Sequence, residues 1–142
     1  MRSKKLLVSN ILATCYTAFL LYSFIGAIVE AGGADFVYAM GSMLGAVYDL
    51  LGMSGIDGTL LYVLAAAVVV HVAAFVLGCL IGWIAFACKK SGGAKFAAVL
   101  YLIGTICFPI FLIFGLPITI VGFVGGGSQK RLNAQITEEK VD

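Results

Sequence analysis

"FAAVLYLIGTICFPIFLIFGLPITIVGFV", residues 96–124, carries no charged side chain and is interrupted by two prolines, Pro109 and Pro117. As one helix it would be about 43 Å long at 1.5 Å per residue, more than an upright crossing of roughly 30 Å of hydrocarbon requires. Each proline lacks the N–H that a helix interior uses, and its ring clashes with the preceding turn. Membrane spans nevertheless tolerate proline kinks. Two readings follow: a short hairpin turning near residues 109–117, or one kinked, tilted span. Lys130 and Arg131 come next, and basic residues mark the cytoplasmic side of a membrane. Two crossings return them there, whereas one does not. The hairpin is therefore the expectation, with bilayer thinning and packing absorbing the shortness of its arms.

Residues 6–29 and 59–87 are equally free of Lys, Arg, Asp and Glu. Each exceeds the roughly 20 apolar residues that a helical span needs. The 142-residue chain is 62% hydrophobic and 11% charged, and its mean hydropathy is +1.10. Soluble domains run at about 45–50% apolar and about 25% charged. The fold class that follows is all-α: an integral membrane helical bundle of two long spans plus a Pro-containing C-terminal hairpin, or one kinked span. A single transmembrane domain is expected over residues 1–127. The glycine-rich residues 125–128 read as a flexible exit from the bilayer, and 128–142 as a charged cytoplasmic tail. The lipid bilayer is the first partner implied. A net charge of +2 is too small to suggest nucleic acid.

The N-terminus has a basic start and an apolar run, as a signal peptide does, and Val29 and Ala31 would pass as a cleavage signal. Signal h-regions span about 7–15 residues, and this run is longer, so an uncleaved first span is expected. Arg2, Lys4 and Lys5 precede it, and Lys89, Lys90 and Lys95 lie between the second and third stretches. Glu30, Asp35, Asp49 and Asp57 fall between spans one and two, without a base. The positive-inside rule then gives a multi-pass protein of the cytoplasmic (plasma) membrane. Its N-terminus lies inside, residues 30–58 outside and, with the hairpin, its C-terminus inside. Within the outer segment, Phe36, Met40, Leu44, Val47 and Leu51 recur at helical spacing opposite Asp35, Ser42 and Asp49. That pattern predicts an extracytoplasmic amphipathic helix over residues 33–54, docked on the bundle or a partner.

The chain's only histidine, His71, sits near the middle of the second span. Ala67, His71, Ala74, Gly78, Gly82 and Ala85 follow steps of three and four and share a narrow face, which includes a Gly-x-x-x-Gly pair. Small residues let helix backbones approach closely, so this side is expected to meet protein. Asn10, Thr14 and Thr17 share a face of the first span and, with Tyr101 and Thr105, are candidate partners for His71. An intramembrane ionisable residue faces the bundle and often marks a pathway. The favoured reading is nevertheless a neutral imidazole hydrogen-bonded across helices, with a ligand or proton role as the alternative. Trp83 with Phe86 suits an interfacial belt.

No cofactor or metal is implied: the four cysteines form no Cys-x-x-Cys pair, and one histidine cannot complete a zinc set. None of the seven acids lies inside an apolar run, which argues against proton-coupled transport. Nothing fixes a Ser–His pair, so an enzyme is not expected. "GWIAFACKK", "AAVLYLIG" and "LPITIVGFVGGGSQKRLN" resemble a group of short polytopic bacterial membrane proteins with about four helical segments and no assigned activity. The resemblance covers roughly residues 59–133, implies a polytopic N-in arrangement and transfers no functional residues. The leading expectation is action by helix–helix interaction, as an accessory subunit, an immunity-type protein or a structural membrane protein. Its partner would be a second copy or a larger membrane protein. The alternative is a small channel, holin-like pore or oligomeric transporter using the polar face around His71.

Overall fold

A computed structural model of the chain describes residues 2–30, 58–108 and 111–138. Among these residues the protein is all-helical: α1 is Lys4–Glu30, α2 Gly58–Ala87, α3 Ser91–Cys107 and α4 Leu112–Glu138. The expected outer helix over residues 33–54 lies outside the described residues. Windows in α1 (Lys4–Gly26), α2 (Ala65–Ala87) and α4 (Leu112–Glu138) are long and apolar enough to cross a membrane, while α3 is a shorter apolar helix.

Local chemistry sets the helix ends. Ser3 caps α1: its hydroxyl accepts from the Leu6 N–H at 3.4 Å, satisfying one of the orphan donors of the first turn. At the end of α2 the Lys90 N–H bonds the Ala85 carbonyl and the Lys89 N–H bonds the Phe86 carbonyl. Lys89 has φ 55, so this is a Schellman motif with a left-handed residue where glycine is usual. The α3 helix stops at Cys107 because Pro109 has no N–H to extend it, and Phe108, the residue before proline, is extended at φ −135, ψ 82.

Residues 96–124 therefore contain parts of two helices, and the chain reverses between Cys107 and Leu112. Pro117 is not in that turn. It lies inside α4, one and a half turns from the start, where it withholds a donor from the Ile113 carbonyl and the helix continues regardless. The expectation for residues 125–128 also needs correction. They form no flexible exit, and α4 runs through them to Glu138. The reason is packing: Gly125 and Gly126 are buried, and a Cβ on Gly125 would stand 2.8 Å from the backbone N and Cα of Leu6. The glycines are the surface on which α1 lies against α4.

The helices form a ring in which each packs against the next and α4 closes onto α1. All neighbours are antiparallel. Along α1 and α4, Ser3 meets Gln129, Leu6 meets Gly125 and Ser9 meets Ile118. Between α1 and α2, Asn10 meets Gly82 and Thr17 meets Phe75. Gly78 meets Tyr101 and Ala97 between α2 and α3, and Gly122 meets Ala98 between α3 and α4. Small residues at these crossings bring backbones close enough for dispersion and interhelical hydrogen bonds to act.

The distribution of polarity is inverted relative to a soluble bundle. Each helix exposes large apolar side chains, among them Phe19 (54%), Leu80 (58%), Ile106 (68%) and Ile113 (79%). Buried instead are Ser9, Asn10, Thr17, His71, Thr105, Thr119 and Gln129.

Candidate functional site

The inner face of α1 runs through Leu6, Asn10, Ala13, Tyr16, Thr17 and Leu20, all buried and spaced by helical steps. That face presents Tyr16 to His71 of α2. The His71 Nε2 lies 2.9 Å from the Tyr16 hydroxyl, and Nδ1 lies 2.7 Å from the Gly104 carbonyl of α3. A carbonyl only accepts, so Nδ1 carries a proton; in the neutral imidazole Nε2 then accepts from the Tyr16 O–H. The Gly104 carbonyl also accepts the Phe108 N–H at 3.2 Å. It belongs to the last turn of α3, where carbonyls run out of helical donors. His71 thus supplies a donor at a helix C-terminus and joins three helices at one level.

Rings enclose this node. Phe75, Phe108 and Phe111 lie 4.9, 5.8 and 6.0 Å from the imidazole centroid. Tyr16 packs edge-on against Phe75 and is stacked near Phe114. An apolar groove of about 420 Å³ runs between α1 and α4, lined by Leu12, Phe19, Pro117 and the Tyr16 ring. The Tyr16 hydroxyl points instead to His71, so the groove receives no polar group from the node. Both imidazole nitrogens are engaged, leaving no lone pair for a substrate or metal. Among the described residues, no three His, Cys, Asp or Glu side chains are grouped to share a metal ion.

The structure uses the predicted small-residue face within the chain. Gly78 lies under Tyr101, where a Cβ would meet the ring at 2.6 Å, and Gly82 lies under Asn10 and Tyr101. Ala74 borders Gly104, and Ala85 borders Gly93. Ala67 is half-buried. Asn10 donates from Nδ2 to the Gly82 carbonyl at 3.0 Å, and Thr17 donates to the Phe75 carbonyl at 3.5 Å. Thr14 is exposed, yet it donates to the Asn10 carbonyl, accepts from the Trp83 indole at 2.8 Å and lies 3.4 Å from the Cys79 sulfur. Trp83 is thereby a link between α1 and α2 as well as an edge-on neighbour of Phe86.

None of the side chains expected to partner His71 does so. Thr105 spends its hydroxyl on the Tyr101 carbonyl, and Asn10, Thr14 and Thr17 serve α2 nearer its C-terminal end. The Tyr101 hydroxyl, in a residue only 1% exposed, has no hydrogen-bond partner among the described residues. Two partners that sequence reasoning missed carried a signal. Tyr16 falls on the stripe set by Asn10, Ala13 and Leu20, and Gln129 continues Gly115, Gly122 and Gly125.

The buried Gln129 organises a second polar cluster. Its Oε1 accepts the Ser3 N–H at 2.9 Å, its Nε2 donates to Asn133, and Asn133 donates to the Lys89 carbonyl at 2.9 Å. Chain start, α2–α3 turn and α4 are joined there. The chain matches no known protein family, no curated protein and no solved structure.

Proposed function

We propose that the chain is a multi-pass protein of the cytoplasmic membrane with both termini inside, acting through helix–helix contact with another membrane protein or a second copy. The inverted polarity of the bundle carries this reading: apolar side chains such as Ile113 and Leu80 face outward, while Asn10, His71 and Gln129 are enclosed. Such a surface is stable in lipid, where the exposed residues need no water and buried polar groups must find partners internally. The antiparallel ring brings Arg2, Lys4 and Lys5, Lys89, Lys90 and Lys95, and Lys130 and Arg131 to the same end. That grouping supports an even number of crossings under the positive-inside rule.

The interior is committed to its own hydrogen bonds and glycine contacts, so the faces left for a partner are the apolar outer ones. A pore lined by the polar groups around His71 gains no support from this packing. Resemblance to short bacterial proteins with about four helical segments is in keeping with the reading.

Two measurements test it. In a variant with the four native cysteines replaced, a cysteine at position 135 is expected to resist a membrane-impermeant maleimide in intact cells. Labelling there would remove the C-in arrangement. Crosslinking before mild detergent extraction is expected to trap a partner or a dimer, and a strictly monomeric, partner-free product would overturn the interaction reading.

A further inference from the structure

We propose that the basic end of the bundle is a binding surface for anionic phospholipid headgroups, centred on Arg2, Lys89 and Lys90; this rests on the membrane reading above. The Ser3–Gln129 and Asn133–Lys89 hydrogen bonds fix the three cation-bearing segments against one another. The Lys95 stem lies on Gly126, with Cγ 3.0 Å from where a Cβ would stand. The Arg2 guanidinium sits 5.4 Å above the Phe86 ring. No ion pair joins these cations to an acid among the described residues. Glu138, the described acid on this side, lies roughly 10 Å along α4 beyond Arg131 at 1.5 Å per residue.

Lys90 and Lys95 also stand at the N-terminal end of α3, whose first turn contains no acid and whose dipole disfavours cations. Among the described residues, these eight positive side chains at one end have no ion-paired acid and repel one another. Phosphate groups at the inner surface of a bilayer supply the missing charge at the depth where the helices end, and juxtamembrane Lys and Arg are attracted to anionic headgroups.

The chain carries its own reporter. Trp83 is the sole tryptophan, is partly exposed, and lies 5.9 Å from Phe86, the ring beneath Arg2. The full chain is reconstituted in phosphatidylcholine vesicles. A fixed fraction of the lipid is replaced by brominated phosphatidylglycerol or, in parallel, by brominated phosphatidylcholine. The expected result is stronger quenching of Trp83 by the anionic lipid, a relative binding constant of about three or more. The preference should fall to about one in Arg2→Gln/Lys90→Gln and fade at high salt. Quenching by brominated phosphatidylcholine should be unchanged in that variant, which shows that it still inserts and folds. Equal quenching by both lipids in the native chain overturns the proposal, as does a preference that survives the double substitution. Quenching by neither lipid would instead remove the membrane reading.

Discussion

Two tyrosines buried in the same bundle are expected to respond oppositely to loss of the hydroxyl. Tyr16 donates its O–H to His71 Nε2 at 2.9 Å, so Tyr16→Phe leaves a buried acceptor unmatched. The cost should be about 1 kcal/mol, within the range for hydrogen bonds between membrane helices. Tyr101 has no partner for its hydroxyl among the described residues, so Tyr101→Phe should leave the unfolding midpoint unchanged or raise it. Unfolding in mixed detergent micelles, followed by circular dichroism, compares the two. Lys89 offers a third case. Its left-handed backbone, φ 55, costs a side-chain-bearing residue about 1 kcal/mol that glycine avoids, offset in part by glycine's greater freedom when unfolded. Lys89→Gly should therefore stabilise modestly in the same assay.

At the scale of the helix, α4 holds a matched pair of glycines. A Cβ added at Gly125 would stand 2.8 Å from the backbone of Leu6, whereas one at Gly127 would meet no neighbouring helix within 4 Å. Gly125→Ala must push α1 away, and overpacking of that kind costs typically 1–3 kcal/mol. Gly127→Ala has room and should gain the roughly 1 kcal/mol by which alanine exceeds glycine in a helix. Opposite shifts in the unfolding midpoint are the expected outcome, and equal shifts would refute the seam. This pair also shows where sequence reading stops. The apolar lengths, a turn beginning near Pro109 and the small face of α2 were legible, because length, proline chemistry and helical spacing are local properties, whereas which of Pro109 and Pro117 breaks the helix was not. The fate of residues 125–128 was not. Glycine lowers helix propensity, and a polar, glycine-rich run after an apolar stretch reads as an exit until another helix is known to lie on it. The partners of His71 were not legible for a related reason: its donor bond ends on the Gly104 carbonyl, a backbone group that no search among side chains finds, and its other partner is Tyr16 rather than Asn10, Thr14 or Thr17.

The whole molecule is closed by α1 meeting α4, the first and last helices of the ring. That closure depends on residues beyond the expected domain boundary, since Gln129 is 0% exposed and bonds Ser3. Ending the chain after residue 127 should consequently lower the unfolding midpoint of the entire bundle rather than trim a tail. A truncated protein that unfolds with the full chain would show that the link is dispensable.

The glycine seams have a consequence for recognising relatives. Substitutions on the outer faces exchange one exposed apolar group for another, and sequence similarity can decay there without disturbing the fold. At positions 78, 82, 115, 122 and 125 any added carbon meets a neighbouring helix at 3.1 Å or less. A distant homologue is thus expected to betray itself through this spacing of small residues, with a histidine seven positions before the first and a tyrosine on its opening helix, long after its overall identity has faded.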